Sequence, residues 1–279
     1  MRFLPLFLIF VMIFGCTQSS GGQQASAPAT QDTGAQDIVA YEHTEVTDEG
    51  TTVPEATSLK SEEISYKSIG WNIYATLYPA QSGSPDKAII LMPMLGKTRD
   101  SYPISFIERL HDEIPGAVVL TVDSRGHGKS TNLGSYSDFD SYTFRDMQSD
   151  ILDAMPHLVS KYPSIKQYYV VGASIGSTAA IMAGARDSNI AKIVMLSPGI
   201  EYQGVNIERA VDDYRFELLL VASSGDSYSV SSINEIESAS SSQITKKIYS
   251  GSAHGTDMFG ATENDAEPLT GVIMQFLKK

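Results

Sequence analysis

A doubly wound α/β domain, with a mostly parallel sheet and helices on both faces, is predicted by three features of the chain. From about residue 61 onward, short apolar runs alternate with longer stretches. Most of those runs are too uniformly apolar to face water on either side, as strands of a covered parallel sheet must be. The longer stretches carry apolar residues at helical spacing, and the 42% apolar content of the 279 residues is enough for one ordinary core.

The beginning of the chain has a different texture. Met1-Arg2 precedes an apolar run from Phe3 to Phe14, which has the charge order and length of a secretory signal peptide and is short for a membrane span. Cys16 closes that run and is the sole cysteine, so an internal disulfide or a cysteine-based zinc site is excluded. Ile13-Phe14-Gly15-Cys16 resembles a lipobox, in which the signal is cut before a cysteine that takes lipid, although Phe14 replaces the usual small residue. Residues 1–16 are therefore expected to direct export and to anchor the chain to a membrane on the extracytoplasmic side. A plain signal peptide or an uncleaved helical anchor is the alternative. Residues 17–60, rich in Ser, Thr, Gln, Gly, Ala and Asp with almost no apolar periodicity, read as a flexible tether.

Order is expected from residue 61. Glu63-Ile64-Ser65-Tyr66-Lys67 and the run from Trp71 to Tyr78 alternate apolar and polar residues around Gly70, which predicts an antiparallel hairpin. Strands are then predicted over 88–92, 117–122, 167–171, 191–196, 216–222 and 245–249. Helices are predicted over 102–113, which Pro115-Gly116 terminates, and over 144–159, where Phe144, Met147, Ile151, Met155, Leu158 and Val159 recur at helical spacing. Four more fall at 177–185, 207–214, 232–239 and 269–277. The stretch from Pro198 to Phe216 is too short for a large helical cap, so a minimal cap or none is expected, with an open site. A formal charge of −13 without clustered Lys and Arg argues against nucleic-acid binding.

The strongest local signal is Gly172-Ala173-Ser174-Ile175-Gly176. It follows the apolar run Tyr168-Tyr169-Val170-Val171 and precedes a helix-forming segment, the context in which G-x-S-x-G makes a sharp strand-to-helix turn that lifts the serine hydroxyl into the open. A serine hydroxyl is a poor nucleophile at neutral pH, so it needs a base and an orienting acid within reach; in the fold that carries this strand-to-helix turn they follow in chain order Ser, Asp or Glu, then His. His254 is the one histidine downstream of Ser174, just after the last predicted strand. His43 lies in the tether, His111 and His157 on predicted helices, and His127 in a glycine-flanked loop. Asp226, directly after the predicted strand at 216–222, is the favoured acid because catalytic groups of open α/β sheets gather beyond the strands' carboxyl ends. Asp257 is the reserve, Asp265 lies nearby, and Asp212 and Asp213 sit earlier on a helix.

Three further segments carry a resemblance. Ile89-Ile90-Leu91-Met92-Pro93-Met94-Leu95-Gly96 with Arg99-Asp100-Ser101-Tyr102, the turn Asp123-Ser124-Arg125-Gly126-His127-Gly128-Lys129-Ser130, and the hairpin with Ile69-Gly70-Trp71 and Tyr78-Pro79-Ala80 are similar to the third-strand loop, the D-x-R-G-x-G-x-S segment and the entry strands of the α/β-hydrolase family. The chain from about 61 to 279 resembles that family's compact esterase, dienelactone-hydrolase and serine-aminopeptidase-like branches. The resemblance implies a serine hydrolase that cleaves carboxylic esters or thioesters of a small acyl-containing substrate through an acyl-enzyme on Ser174, with Asp226 and His254 completing the triad and no metal or organic cofactor. The oxyanion hole is implied at the backbone N–H groups of Leu95, or Met94, and Ile175. Pro93-Met94 stands where the family usually has His-Gly. Tyr202, Met258 and Phe259 are candidates for the acyl pocket or for core packing. The same scaffold could also serve a non-catalytic binding lipoprotein, or a serine peptidase or acyltransferase.

Overall fold

The computed structural model describes residues 59–279; the expected export signal, Cys16 and the tether up to residue 58 lie outside the described residues. Ten strands follow in chain order: β1 (Glu62–Ser68), β2 (Trp71–Tyr78), β3 (Lys87–Met92), β4 (Ala117–Asp123), β5 (Gln167–Ala173), β6 (Ile190–Leu196), the short pair β7 (Glu201–Tyr202) and β8 (Val205–Asn206), β9 (Glu217–Ser223) and β10 (Gln243–Tyr249). The helices are α1 (Ile104–Glu113), α2 (Ser141–Asp146), α3 (Gln148–Lys161), α4 (Ile175–Gly184), α5 (Glu208–Asp213), α6 (Ser227–Ala239), α7 (Met258–Ala261) and α8 (Leu269–Lys278).

Eight strands form one sheet in the order β1-β2-β4-β3-β5-β6-β9-β10, antiparallel between β1 and β2 and between β2 and β4, and parallel from β4 to β10. This is the predicted doubly wound α/β architecture. Chain order reverses at β3, which lies between β4 and β5, so the loops leaving β3 and β5 diverge and open a crevice at the carboxyl edge. Side chains alternate across the pleat. Ala88, Ile90 and Met92 of β3 join a core under α3, α4 and α6, whereas Ile89 and Leu91 join a second core under α1 and α8. Two covered faces explain why the inner parallel strands carry no polar alternation; β10, at the sheet edge, is the parallel strand exposed along most of its length.

Several element ends differ from expectation for local reasons. The predicted helix at 144–159 is two helices that meet at Met147, the first capped by Asp140, whose carboxylate accepts from the Thr143 N–H at 2.8 Å. Helix α6 starts at Ser227, five residues before the predicted 232, because Asp226 caps it. Tyr102 precedes α1, buried, with its hydroxyl donating to the Met92 and Val171 carbonyls at 2.9 Å each.

Beneath the D-x-R-G-x-G-x-S turn lies a buried ion pair. Asp150 of α3 accepts from the Arg125 backbone N–H at 2.9 Å and from its guanidinium at 2.8 and 3.1 Å, and Arg125 also donates to Ser68 Oγ at 3.0 Å. Burial pushes the Asp150 carboxyl upward while Arg125 pulls it down. Removing one member of such a pair leaves a buried charge without a partner. Asp150→Ala is therefore expected to lower the unfolding free energy by about 3–5 kcal/mol, read from denaturant midpoints at unchanged m-value. A loss below about 1 kcal/mol, the range of a surface pair, would contradict this account of the turn.

Candidate active site

Ser174 occupies the one position between β5 and α4, with φ 52° and ψ −117°. A non-glycine residue in this region is strained, and the strain holds the hydroxyl clear of both flanking elements. The Ser174 N–H donates to the Leu196 carbonyl at 2.8 Å, which ties the turn to the end of β6. The flanking glycines are required by close approach: a Cβ on Gly172 would lie 2.3 Å from the Gly176 oxygen, and one on Gly176 would lie 2.5 Å from the Met92 oxygen. Gly176 thus lets the start of α4 pack against the end of β3.

That packing sets Ile175 and the loop after β3 side by side. The Ile175 N–H is the first of α4 and has no acceptor within the helix. In the β3 loop, the Gly96 N–H is taken by His127 Nε2 at 3.0 Å, whereas the Met94 and Leu95 N–H groups donate to no protein acceptor among the described residues. His127 is thereby assigned a role that its sequence context left open. Because Nε2 accepts, Nδ1 carries the proton and donates to the Arg125 carbonyl at 2.9 Å; burial pushes the imidazole pKa down, and the ring stacks on Tyr136 at 4.3 Å. A neutral His127 pins the β3 loop to the Arg125 turn.

His254 follows β10, and Asp226 follows β9. The two loops are laced together by Ser224 N–H to the Tyr249 carbonyl and Gly225 N–H to the Gly251 carbonyl, both 2.7 Å, and by the Ser223 hydroxyl to the Ala253 carbonyl at 2.8 Å. His254 Nδ1 meets Asp226 Oδ2 at 2.7 Å, with the imidazole 38% and the carboxylate 12% exposed. Partial burial acts against ionisation of Asp226, but hydrogen bonds from Ser229 and His254 outweigh it and hold the carboxyl below its ordinary pKa. An ionised Asp226 accepts a hydrogen bond from the Nδ1–H of His254, which keeps the proton on Nδ1 and leaves the lone pair on Nε2.

The His254 loop is seated against the Ser174 turn. The Gly255 N–H donates to Ser197 Oγ at 2.9 Å, and a Cβ at Gly255 would fall 3.5 Å from that of Ala173 and 2.6 Å from Met94 Sδ. Asp257 is exposed and faces Lys97 at 3.7 Å, while the imidazole is bonded to Asp226; Asp212 and Asp213 pair with Arg215 and Arg209 on the surface. Met258 and Phe259 are core residues rather than pocket walls: Met258 is fully buried, and the Phe259 ring packs on Phe106 at 4.7 Å. Tyr202 stands at the site, its ring edge-to-face with His254 at 6.4 Å. Ser197, which no motif singled out, holds both neighbours: its Oγ accepts from Gly255 and its carbonyl accepts from the Tyr202 hydroxyl at 3.1 Å. The turn Ser197-Pro198-Gly199 directly after a strand was the available signal. Among the described residues no group of three or more His, Cys, Asp and Glu side chains is placed to hold a metal ion, and no helix is long and apolar enough to cross a membrane.

Residues 83–211 match a family model described as serine aminopeptidase, S33. No curated protein sequence matches the chain. Among solved structures, an esterase from Pyrococcus furiosus is similar at 19% identity and TM-score 0.65, over 82% of this chain and 96% of its own. Est1E from Butyrivibrio proteoclasticus, solved with ferulic acid bound, is similar at 17% identity and TM-score 0.58, over 77% and 96%. A dienelactone hydrolase from Anabaena variabilis is similar at 12% identity and TM-score 0.57, over 78% and 95%. The chain has the α/β-hydrolase fold.

Proposed function

We propose that this protein is a serine hydrolase of carboxylic esters or thioesters, acting through an acyl-enzyme on Ser174. The observation that carries the reading is the His254–Asp226 contact of 2.7 Å beside a serine held at φ 52° between strand and helix. In the first step Ser174 Oγ attacks the acyl carbon while His254 Nε2 takes its proton. Charge then develops on the carbonyl oxygen, for which the Ile175 and Leu95 N–H groups are the donors. Collapse breaks the bond to the alcohol or thiol, and the imidazolium returns its proton to the departing atom. In the second step His254 deprotonates water, which attacks the acyl carbon; as the bond to Ser174 Oγ breaks, the imidazolium returns that proton to Oγ, releasing the acid and restoring Ser174. Asp226 keeps Nδ1 protonated and balances the imidazolium charge throughout.

The test is hydrolysis of short p-nitrophenyl esters together with labelling by a fluorophosphonate, followed by mass spectrometry of the labelled peptide. Turnover with the label on Ser174 is expected. Neither turnover nor label would turn the assignment to a binding protein on the same scaffold, and amide turnover exceeding ester turnover would turn it to a peptidase, the activity named by the family model that residues 83–211 match.

The proposed location is the extracytoplasmic face of a membrane, from the signal-like residues 1–16 and the lipobox-like Cys16. Cys16→Ser is then expected to move the full-length chain from the membrane fraction to the soluble fraction, or to arrest its processing. Unchanged fractionation and mass would rule out a lipid on Cys16.

A further inference from the structure

Between β6 and α5 the chain builds only the β7–β8 hairpin, and this hairpin sends Tyr202 to the reacting centre. The Tyr202 hydroxyl donates to the Ser197 carbonyl at 3.1 Å, stands 3.4 Å from Ser229 Oγ, and lies beside the Ser174 side chain. Ser229 in turn donates its N–H to Asp226 Oδ1 at 3.3 Å. The phenol therefore touches the surroundings of both the nucleophile and the acid. Burial pushes its pKa up against the pull of the Ser229 and Ser174 hydroxyls, so it remains a neutral donor.

The ring is fixed as firmly as the hydroxyl. It packs edge-to-face on His254 and leans on Tyr228 at 5.5 Å, while the Tyr228 hydroxyl donates to the Glu201 carbonyl and accepts from the Glu201 N–H. Both rings close over Gly199, where a Cβ would lie 2.7 Å from Tyr202 and 2.8 Å from Tyr228. An aromatic ring held by two hydrogen bonds and two stacking partners loses little further freedom on binding and makes a rigid wall.

Which part of an ester meets that wall follows from the proton traffic. The carbonyl oxygen belongs at the Ile175 and Leu95 N–H groups. The departing oxygen or sulfur must receive its proton from His254, so the leaving group lies on the imidazole side of the carbon. Tyr202 is the side chain packed on that imidazole. Resting on the serine-hydrolase reading above, we infer that Tyr202 determines leaving-group specificity, its ring limiting the bulk of the alcohol or thiol portion admitted beside Ser174.

The test compares phenyl acetate with 1-naphthyl acetate, which vary the leaving group, and p-nitrophenyl acetate with p-nitrophenyl butyrate, which vary the acyl group. In Tyr202→Ala the naphthyl-to-phenyl ratio of kcat/KM is expected to rise about tenfold, the scale on which an apolar wall discriminates size. The butyrate-to-acetate ratio should hold, and Tyr202→Phe, which keeps the ring, should hold both. If Tyr202→Ala does not fold, Tyr202→Leu reads the same ratio with the apolar packing kept, and a rise of severalfold is expected. An unchanged or falling naphthyl-to-phenyl ratio in an active variant overturns the inference, as does an equal shift in the acyl ratio. A wild type that neither hydrolyses these esters nor takes a fluorophosphonate fails at the earlier step and removes the serine-hydrolase reading itself.

Discussion

Ser174→Ala is expected to abolish ester turnover, with kcat falling by about a millionfold, the scale of losing a serine nucleophile, and to abolish fluorophosphonate labelling at the same time. The substitution removes one oxygen and leaves the backbone problem as it was. Alanine carries the same Cβ into the same strained φ of 52°, and the Ser174 N–H still reaches the Leu196 carbonyl. Stability should therefore change little, which separates a chemical from a structural effect in one variant. The side-chain hydroxyl makes no bond on which the turn depends, since Ser177 Oγ donates to the Ser174 backbone carbonyl, at 2.6 Å, and not to its side chain. Measured side by side, p-nitrophenyl acetate hydrolysis and thermal midpoint should part company: activity lost, midpoint kept. Turnover equal to that of the wild type would place the nucleophile elsewhere.

What could be read in the sequence, and what could not, divides by distance along the chain. The parallel strands were legible because covering both faces removes every polar position from runs such as Ile89-Ile90-Leu91-Met92, and the serine turn was legible because its requirements are local. Helix ends were less so. The residues Ser227 to Ser231 are weak helix formers, and only the capping carboxylate of Asp226 starts α6 there. The hardest distinctions were between residues of the same type in similar loops. Asp226 and Asp257 both stand near strand ends in the sequence; the backbone bonds from Ser224 and Gly225 to the β10 loop, a contact between segments some distance apart in the chain, decide which one faces the imidazole. Met258 and Phe259 follow His254 so closely that a pocket role was natural, yet the turn at Gly255–Asp257 points them into the core under α1 and α8. Tyr202 could be placed in the site, but its hold on Ser197 and Ser229 depends on three segments meeting in space.

The acid can be assigned with a pair of isosteric changes. Asp226→Asn is expected to lower kcat on the order of ten-thousandfold, the loss associated with the wrong histidine tautomer, whereas Asp257→Asn should leave it within about twofold, as expected of an exposed pair. The reason lies in which ring nitrogen carries the proton. The Asp226 carboxylate can only accept, so Nδ1 of His254 must donate and Nε2 is free to take the serine proton. An asparagine can turn its amide NH2 toward Nδ1, which moves the proton to Nε2 and blocks the base. The Ser229 N–H that caps against Asp226 Oδ1 can still find the asparagine carbonyl, so the start of α6 survives and the defect stays chemical. Asp257 faces Lys97 across 3.7 Å on the surface, and the imidazole's carboxylate partner is Asp226. The diagnostic signature is a loss in kcat at neutral pH that partly recovers as pH rises, when hydroxide competes for the misplaced proton. Activity that survives Asp226→Asn and fails in Asp257→Asn would transfer the acid's role to the residue beside Met258.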